Sequence, residues 1–216
     1  MASDLTPRLI DAAAAVIEAH AEELTSLDQA IGDGDHGINM KRGFQAVAET
    51  REALAPLALS EALQKAGMTL VMKVGGASGP LYGSLLMAMG KAGDGDPADA
   101  KAVAAMLAAG VEAVKKRGKS DAGEKTMLDV LAPVSRQLTE AAENGMAPAD
   151  LLAALAAAAE QGLESTREMQ ATKGRASFLG ERSVGHLDPG ARSSQLLISA
   201  VCGLLRESVE QEAQSA

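Results

Sequence analysis

The chain has 216 residues, a formal net charge of −9, a single cysteine, and 47% hydrophobic residues with only 1% aromatic. The acidic balance excludes nucleic acid as a main partner, because neutralising phosphate backbones requires clustered Lys and Arg. The lone Cys202 excludes an internal disulfide framework, and no apolar run reaches the about 18 residues of a membrane helix.

These bounds predict one domain over residues 1–216, able to bury about 70% of the surface of the unfolded chain. With no signal peptide at its start and one cysteine, the chain reads as cytoplasmic. With so few aromatic residues, the core must be built from Ala, Leu, Val, Ile and Met, which favours closely packed helices. Cys202 reads as a small core residue.

Apolar residues at Leu9, Ala13, Val16, Ile17 and Leu24 follow helical spacing, with Thr6 and Pro7 opening the first helix. After the break at Gly32–Gly37, a second helix is predicted from about Asn39 to Leu54, and a third, capped by Ser60, to about Lys73. Pro80 sits in the first turn of a fourth, through Lys91. Asp96 is expected to cap a fifth, ending near Arg117. Further helices are predicted at about Lys125–Asn144, Pro148–Gln170 and Ser193–Glu210, with residues 171–192 as a long loop. The result is an all-α, barrel-like, up-and-down bundle of about eight amphipathic antiparallel helices. Alternating connections then gather the Gly-rich loops near 32–37, 75–79, 118–124 and 171–192 at one end. The plain loops near 55–60, 91–96 and 145–148 fall at the other.

Three carboxylates, Asp28, Asp33 and Asp35, lie within eight residues, and Gly32, Gly34 and Gly37 let the chain turn tightly between them. Oxygen-only donors select hard cations such as Mg²⁺, which is held by one or two carboxylates together with phosphates. Three carboxylates suffice for two ions, and such a pair would clamp a polyphosphate. The chain carries its own control. Gly93-Asp94-Gly95-Asp96 repeats the same four letters, but Met89 stands where Asp28 would, so that copy reads as a turn and cap. His36 reads as a hydrogen-bonding group toward phosphate or substrate, as a structural residue, or as a metal ligand. Asn39 reads as opening a helix whose free amides favour phosphate.

Ser78 and its neighbouring amides precede a helix, as a phosphate site or as an ordinary loop. No Walker A motif is present, since Ala113 occupies its first glycine position before Gly118-Lys119-Ser120. Thr126 reads as a cap completed by Asp129, or as a phosphate contact. Residues 171–192 are long for a connector and basic, with Lys173, Arg175, Arg182 and Arg192, which suits a lid over an anionic ligand.

The run Asp28 to Asn39 resembles the signature of the L-subunit family of dihydroxyacetone kinases, the nucleotide-binding subunits of the bacterial phosphotransferase-dependent enzymes. So do Gly75–Gly83, Gly123–Asp129, Arg175–Ser183 and Gly185–Gly190, in order along the chain, although Glu124 stands where many members have Asp. The resemblance implies ADP or ATP contacts at His36, Gly37, Ile38, Asn39, Ala77, Ser78, Gly118, Met127, Arg175, Asp188, Pro189 and Gly190. It implies Mg²⁺ on Asp28, Asp33 and Asp35, and a structural His186. It further implies γ-phosphoryl transfer to dihydroxyacetone held on a subunit K, with ADP rephosphorylated in place by a phosphotransferase subunit M. The chain would be inactive alone and have no catalytic nucleophile of its own. A free-ATP kinase for another small ketose or polyol, a nucleotide-sensing module, and a homodimer are left open.

Overall fold

A computed structural model describes residues 5–215, with side chains through 211; the lead-in at residues 1–4 lies outside the described residues. Among the described residues there are ten α-helices: α1 (Leu5–Ala19), α2 (Ala21–Ile31), α3 (His36–Glu49), α4 (Arg51–Leu54), α5 (Leu59–Lys73), α6 (Ser78–Ala92), α7 (Ala100–Gly118), α8 (Leu128–Glu143), α9 (Pro148–Ser165) and α10 (Pro189–Ser215). A 3₁₀ segment, Arg175–Ser183, lies in the loop before α10. No strand occurs among the described residues.

The eight expected rods are present, two of them broken. The first bends at His20, which separates α1 from α2 while its own N–H still bonds Val16 O. The second breaks at Thr50, where the hydroxyl turns back to Val47 O. Eight helices close a ring: α1 packs on α3, α3 on α5, then α5, α6, α7, α8, α9 and α10 follow in sequence, and α10 returns to α1. This closure is the barrel.

The core is mainly aliphatic, with Phe44 and Tyr82 buried in it as an edge-to-face pair. Ile17, Leu24, Met40, Leu70, Val114 and Leu128 fill one cluster, and Val130, Val134, Leu155, Leu163 and Cys202 fill a second. Small residues let the rods approach, as the composition requires. Gly67 on α5 and Gly83 on α6 each have the other's carbonyl oxygen 2.8 Å from where a Cβ would stand.

Several helix starts differ from the sequence expectation, among them α8, which begins at Leu128 rather than near Lys125, and the three whose caps are described next. α5 begins at Leu59, and its cap comes from elsewhere: Asp96 Oδ1 accepts the Leu59 N–H at 2.7 Å, while Ser60 Oγ accepts the Gly95 N–H at 3.1 Å. Asp96 therefore caps α5, and Asp99 caps α7 by accepting the Ala102 N–H at 2.9 Å. α10 starts at Pro189, because Asp188 Oδ2 accepts the Ala191 N–H at 2.7 Å and Pro189 needs no N–H in the first turn.

The bonds between Ser60 or Leu59 and Gly95 or Asp96 place two of the plain loops, 55–60 and 91–96, together at one end. The Gly-rich loops meet at the other. Among the described residues, no helix is long and apolar enough to cross a membrane.

Candidate functional site

Asp28 lies on the last turn of α2 and is buried. Its Oδ2 accepts the N–H of Asp35 at 2.8 Å and of His36 at 3.1 Å, the amides that open α3. One carboxylate oxygen thus satisfies a helix N-terminus and ties α2 to α3. The turn is tight enough that a Cβ on Gly32 would stand 2.1 Å from Asp28 Oδ1, and Gly34 takes φ +74°. Asp33 and Asp35 are exposed on this turn, and oxygens of all three aspartates lie within 4.8 Å of one another. The donor set is all oxygen, held by a rigid turn and open to solvent. These features fit Mg²⁺ carrying water and phosphate in its remaining positions.

α3 begins at His36, three residues before the expected start, and the Asn39 N–H is bonded to Asp35 O at 2.9 Å. The Asp35 and His36 amides are taken by Asp28 and the Asn39 amide by Asp35 O, which leaves the Gly37 and Ile38 N–H groups of the first turn as the phosphate-facing candidates. Asn39 instead presents its side chain: Oδ1 accepts Arg42 Nη2 at 2.7 Å, and Arg42 Nε donates to Lys73 O at 2.8 Å. This joins α3 to the Gly75-Gly76 turn.

His36 is buried with both ring nitrogens bonded: Nδ1 to Ser78 Oγ at 3.0 Å and Nε2 to Ser193 Oγ at 2.9 Å. Both partners are hydroxyls, so neither nitrogen is left to ligate a metal. Burial lowers its pKa, opposed by the Asp28 and Asp35 charges. The chain continues through Ser193 Oγ to Tyr82 OH at 2.8 Å, and Tyr82 OH also meets Ser194 Oγ at 2.8 Å. Burial pushes the Tyr82 phenol up to about 12. This hydroxyl–imidazole–hydroxyl chain fixes Ser78, at the N-terminus of α6, against the carboxylate turn.

Across the opening, the lid reaches over. Arg175 Nη2 pairs with Asp33 Oδ2 at 2.9 Å. Ala171, Ala176 and Leu179 pack on Ile31, which seats the lid on the end of α2. The lid contains the 3₁₀ segment, where the sequence suggested only loop, and Ser183 Oγ closes it by accepting the Ala171 N–H at 2.9 Å. Asp188 is buried and pushed up to about 7, chiefly by burial and despite the Ala191 N–H. Gly190 lies beside Met127, whose N would be 3.5 Å from a Gly190 Cβ. Thr126 belongs to the capping arrangement: its N–H donates to Asp129 Oδ2 at 2.7 Å and its Oγ1 accepts the Leu128 N–H at 3.2 Å.

The structure therefore gathers Asp28, Asp33, Asp35, His36, Asn39, Ala77 and Ser78 with Arg175. It sets Met127 beside Gly190, and Ser193 links the start of α10 to His36. Three further expected contacts could reach a ligand only through their backbone. Gly37 is buried where α3 crosses α2, with Ala21 O 2.0 Å from where a Cβ would stand. The Ile38 side chain is 61% exposed and lines an outer groove of about 570 Å³ with Thr25, Lys41, Arg42 and Gln45. Gly118 ends α7 beside Leu81 and Ser120. Tyr82, Ser193 and Lys125 escaped sequence reasoning as site-supporting residues. The only local signal for the first two was a hydroxyl inside an otherwise apolar helical stripe.

A closed helical ring of this kind is the fold of one part of a larger known kinase. The crystal structure of the dihydroxyacetone kinase from C. freundii in complex with AMP-PNP and Mg²⁺ matches with a TM-score of 0.72 and 26% identity, over 95% of this chain. This chain spans 34% of that protein's length. The DAK2 domain matches residues 30–203. A "PEP-dependent dihydroxyacetone kinase 1, ADP-binding subunit DhaL" from Listeria innocua is 49% identical over 86% of this chain and 88% of its own length. The corresponding subunit of Escherichia coli is 40% identical over 89% and 92%. The chain belongs to the DAK2 domain family, among the DhaL subunits of dihydroxyacetone kinases.

Proposed function

We propose that this chain is the nucleotide-binding subunit of a dihydroxyacetone kinase, a single cytoplasmic domain over residues 1–216 that works with a substrate-holding subunit K. ADP and two Mg²⁺ are held at the acidic end, and a phosphotransferase subunit M recharges the nucleotide in place. The observation that carries the reading is the convergence of Asp28, Asp33 and Asp35 within 4.8 Å, facing Arg175 of the lid.

Asp28, Asp33 and Asp35 would hold the magnesium, which supplies charge neutralisation to the phosphates. Asp28 is oriented for this by two backbone amides, so its carboxylate needs no reorganisation. Arg175 turns from Asp33 to phosphate oxygens and keeps its charge-assisted pairing with an anion. Ser78, aligned by His36, offers a hydroxyl and the amides of the α6 N-terminus. Met127, Gly190 and the start of α10 form the wall for the remainder of the nucleotide. In the reaction, a substrate hydroxyl oxygen bonds the γ-phosphorus as the bond to the β-phosphate oxygen breaks, and the hydroxyl proton is released. Positioning and charge carry the rate, with no nucleophile needed from this chain.

The test is to identify the nucleotide that co-purifies with the chain by mass analysis. Reconstitution with subunit K and dihydroxyacetone follows, using either phosphorylated subunit M or free ATP. ADP that survives dialysis, and transfer only from phosphorylated subunit M, is the expected result. Transfer from neither donor to any triose or tetrose contradicts the reading.

A further inference from the structure

Lys125 is the largest fully buried side chain among the described residues, 1% exposed, on a backbone with φ +61°. Left-handed backbone is uncommon for a residue with a side chain, so this turn is held in place by its surroundings. The ammonium donates to two carbonyls distant in sequence, Thr166 O and His186 O. Thr166 ends α9, and its carbonyl belongs to the negative end of that helix. His186 stands two residues before Asp188. Between these two carbonyls runs the body of the lid, including the 3₁₀ segment and Arg175.

Two further bonds close the same neck. The Gly185 N–H donates to Arg167 O at 2.7 Å, and the Asp188 N–H donates to Thr166 Oγ1 at 3.1 Å. The lid also meets the α7–α8 connection at its surface, through the Thr172 N–H donating to Glu124 O at 3.4 Å and the Lys173–Glu124 pair at 3.5 Å. Lys125 adds a buried link from the neck itself to that connection, two residues before Met127. Burying an ammonium without a direct carboxylate partner is unfavourable. A Met would fill the same space without that cost. The contribution specific to the charge is the pair of bonds across the neck.

We propose that Lys125 is the positioning residue of the lid, pinning its neck to the Met127 side of the site so that Arg175 and the Asp188–Gly190 segment close over the ligand together. Its effect on nucleotide release rests on the function proposed above; its effect on the lid itself does not.

The experiment compares native chain with Lys125→Met in two assays. Release of a fluorescent N-methylanthraniloyl ADP with Mg²⁺ is expected to be about tenfold faster in the variant, because interface losses of this kind appear in the off-rate. The Mg²⁺ concentration for half-saturation stays native. In the ligand-free chain, trypsin cleavage after Arg175 and Arg182 accelerates while cleavage after Lys115 and Arg136 keeps its native rate, a selectivity that general destabilisation would not give. A folded variant with native release and native lid cleavage overturns the inference. If the native chain fails to bind the probe, the nucleotide reading falls and the cleavage comparison alone decides. If Lys125→Met fails to fold, Lys125→Gln, which keeps a polar donor but not the charge or both bonds, is read by the same two assays: faster release and faster lid cleavage support the inference, and native values for both overturn it.

Discussion

Arg175 Nη2 lies 2.9 Å from Asp33 Oδ2, so a cationic lid residue pairs with a carboxylate proposed to bind a cation. The pair is largely exposed, and such pairs are weak enough to exchange partners. It links lid closure to occupancy of the acidic turn, since a cation on Asp33 frees Arg175 for phosphate.

Arg175→Ala should therefore act in opposite directions on two ligands. Affinity for Mg²⁺ alone should rise by about two- to fivefold, because a competing charge is removed. Affinity for ADP with Mg²⁺ should fall by about tenfold or more, because a charge-assisted contact to phosphate is lost. Titration calorimetry of both ligands checks this, and a loss of Mg²⁺ affinity on its own would contradict the competition.

Asp28 has two separable tasks. Asp28→Asn keeps an oxygen for the Asp35 and His36 amides but loses the charge. It should fold with near-native stability and lose Mg²⁺-dependent nucleotide binding. Asp28→Ala leaves those amides without their acceptor and should also lose about 1–2 kcal/mol of stability. Urea unfolding of the two variants distinguishes the tasks.

Asp188 supplies a pH dependence. Burial raises its carboxyl to about 7, above its unfolded value, so the folded chain binds the extra proton. The associated stability is complete below the unfolded pKa, near 4, and is lost as pH rises through about 7. Asn also caps helices well. Asp188→Asn should therefore preserve α10 and remove this contribution to the slope. The melting temperature of the variant relative to native should rise between pH 5 and pH 8; a constant difference would contradict the assignment.

The eight rods and their alternation were legible because helical apolar spacing and Gly-rich breaks are local signals. The acidic turn was legible for the same reason, with Asp28 distinguishing it from Gly93–Asp96. Caps were misassigned where the acceptor comes from another loop: Asp96 serves Leu59, thirty-seven residues earlier. The start of α10 was obscured because Asp188-Pro189 precedes the apolar periodicity by several residues, although the Asp-Pro pair itself is a helix-start signal. Lys125 was illegible. Its burial depends on the carbonyls of Thr166 and His186, which carry no side-chain signature. His36 lay at an intermediate level: its proximity to the site was readable, but its two serine partners lie on α6 and α10.

The most direct test of the acidic turn as the nucleotide site sets Asp33→Ala against Asp94→Ala, two exposed aspartates in the same Gly-Asp-Gly-Asp wording. Calorimetry with ADP and Mg²⁺ should show binding abolished in the first and native in the second. Equal affinity in the two variants would contradict the account.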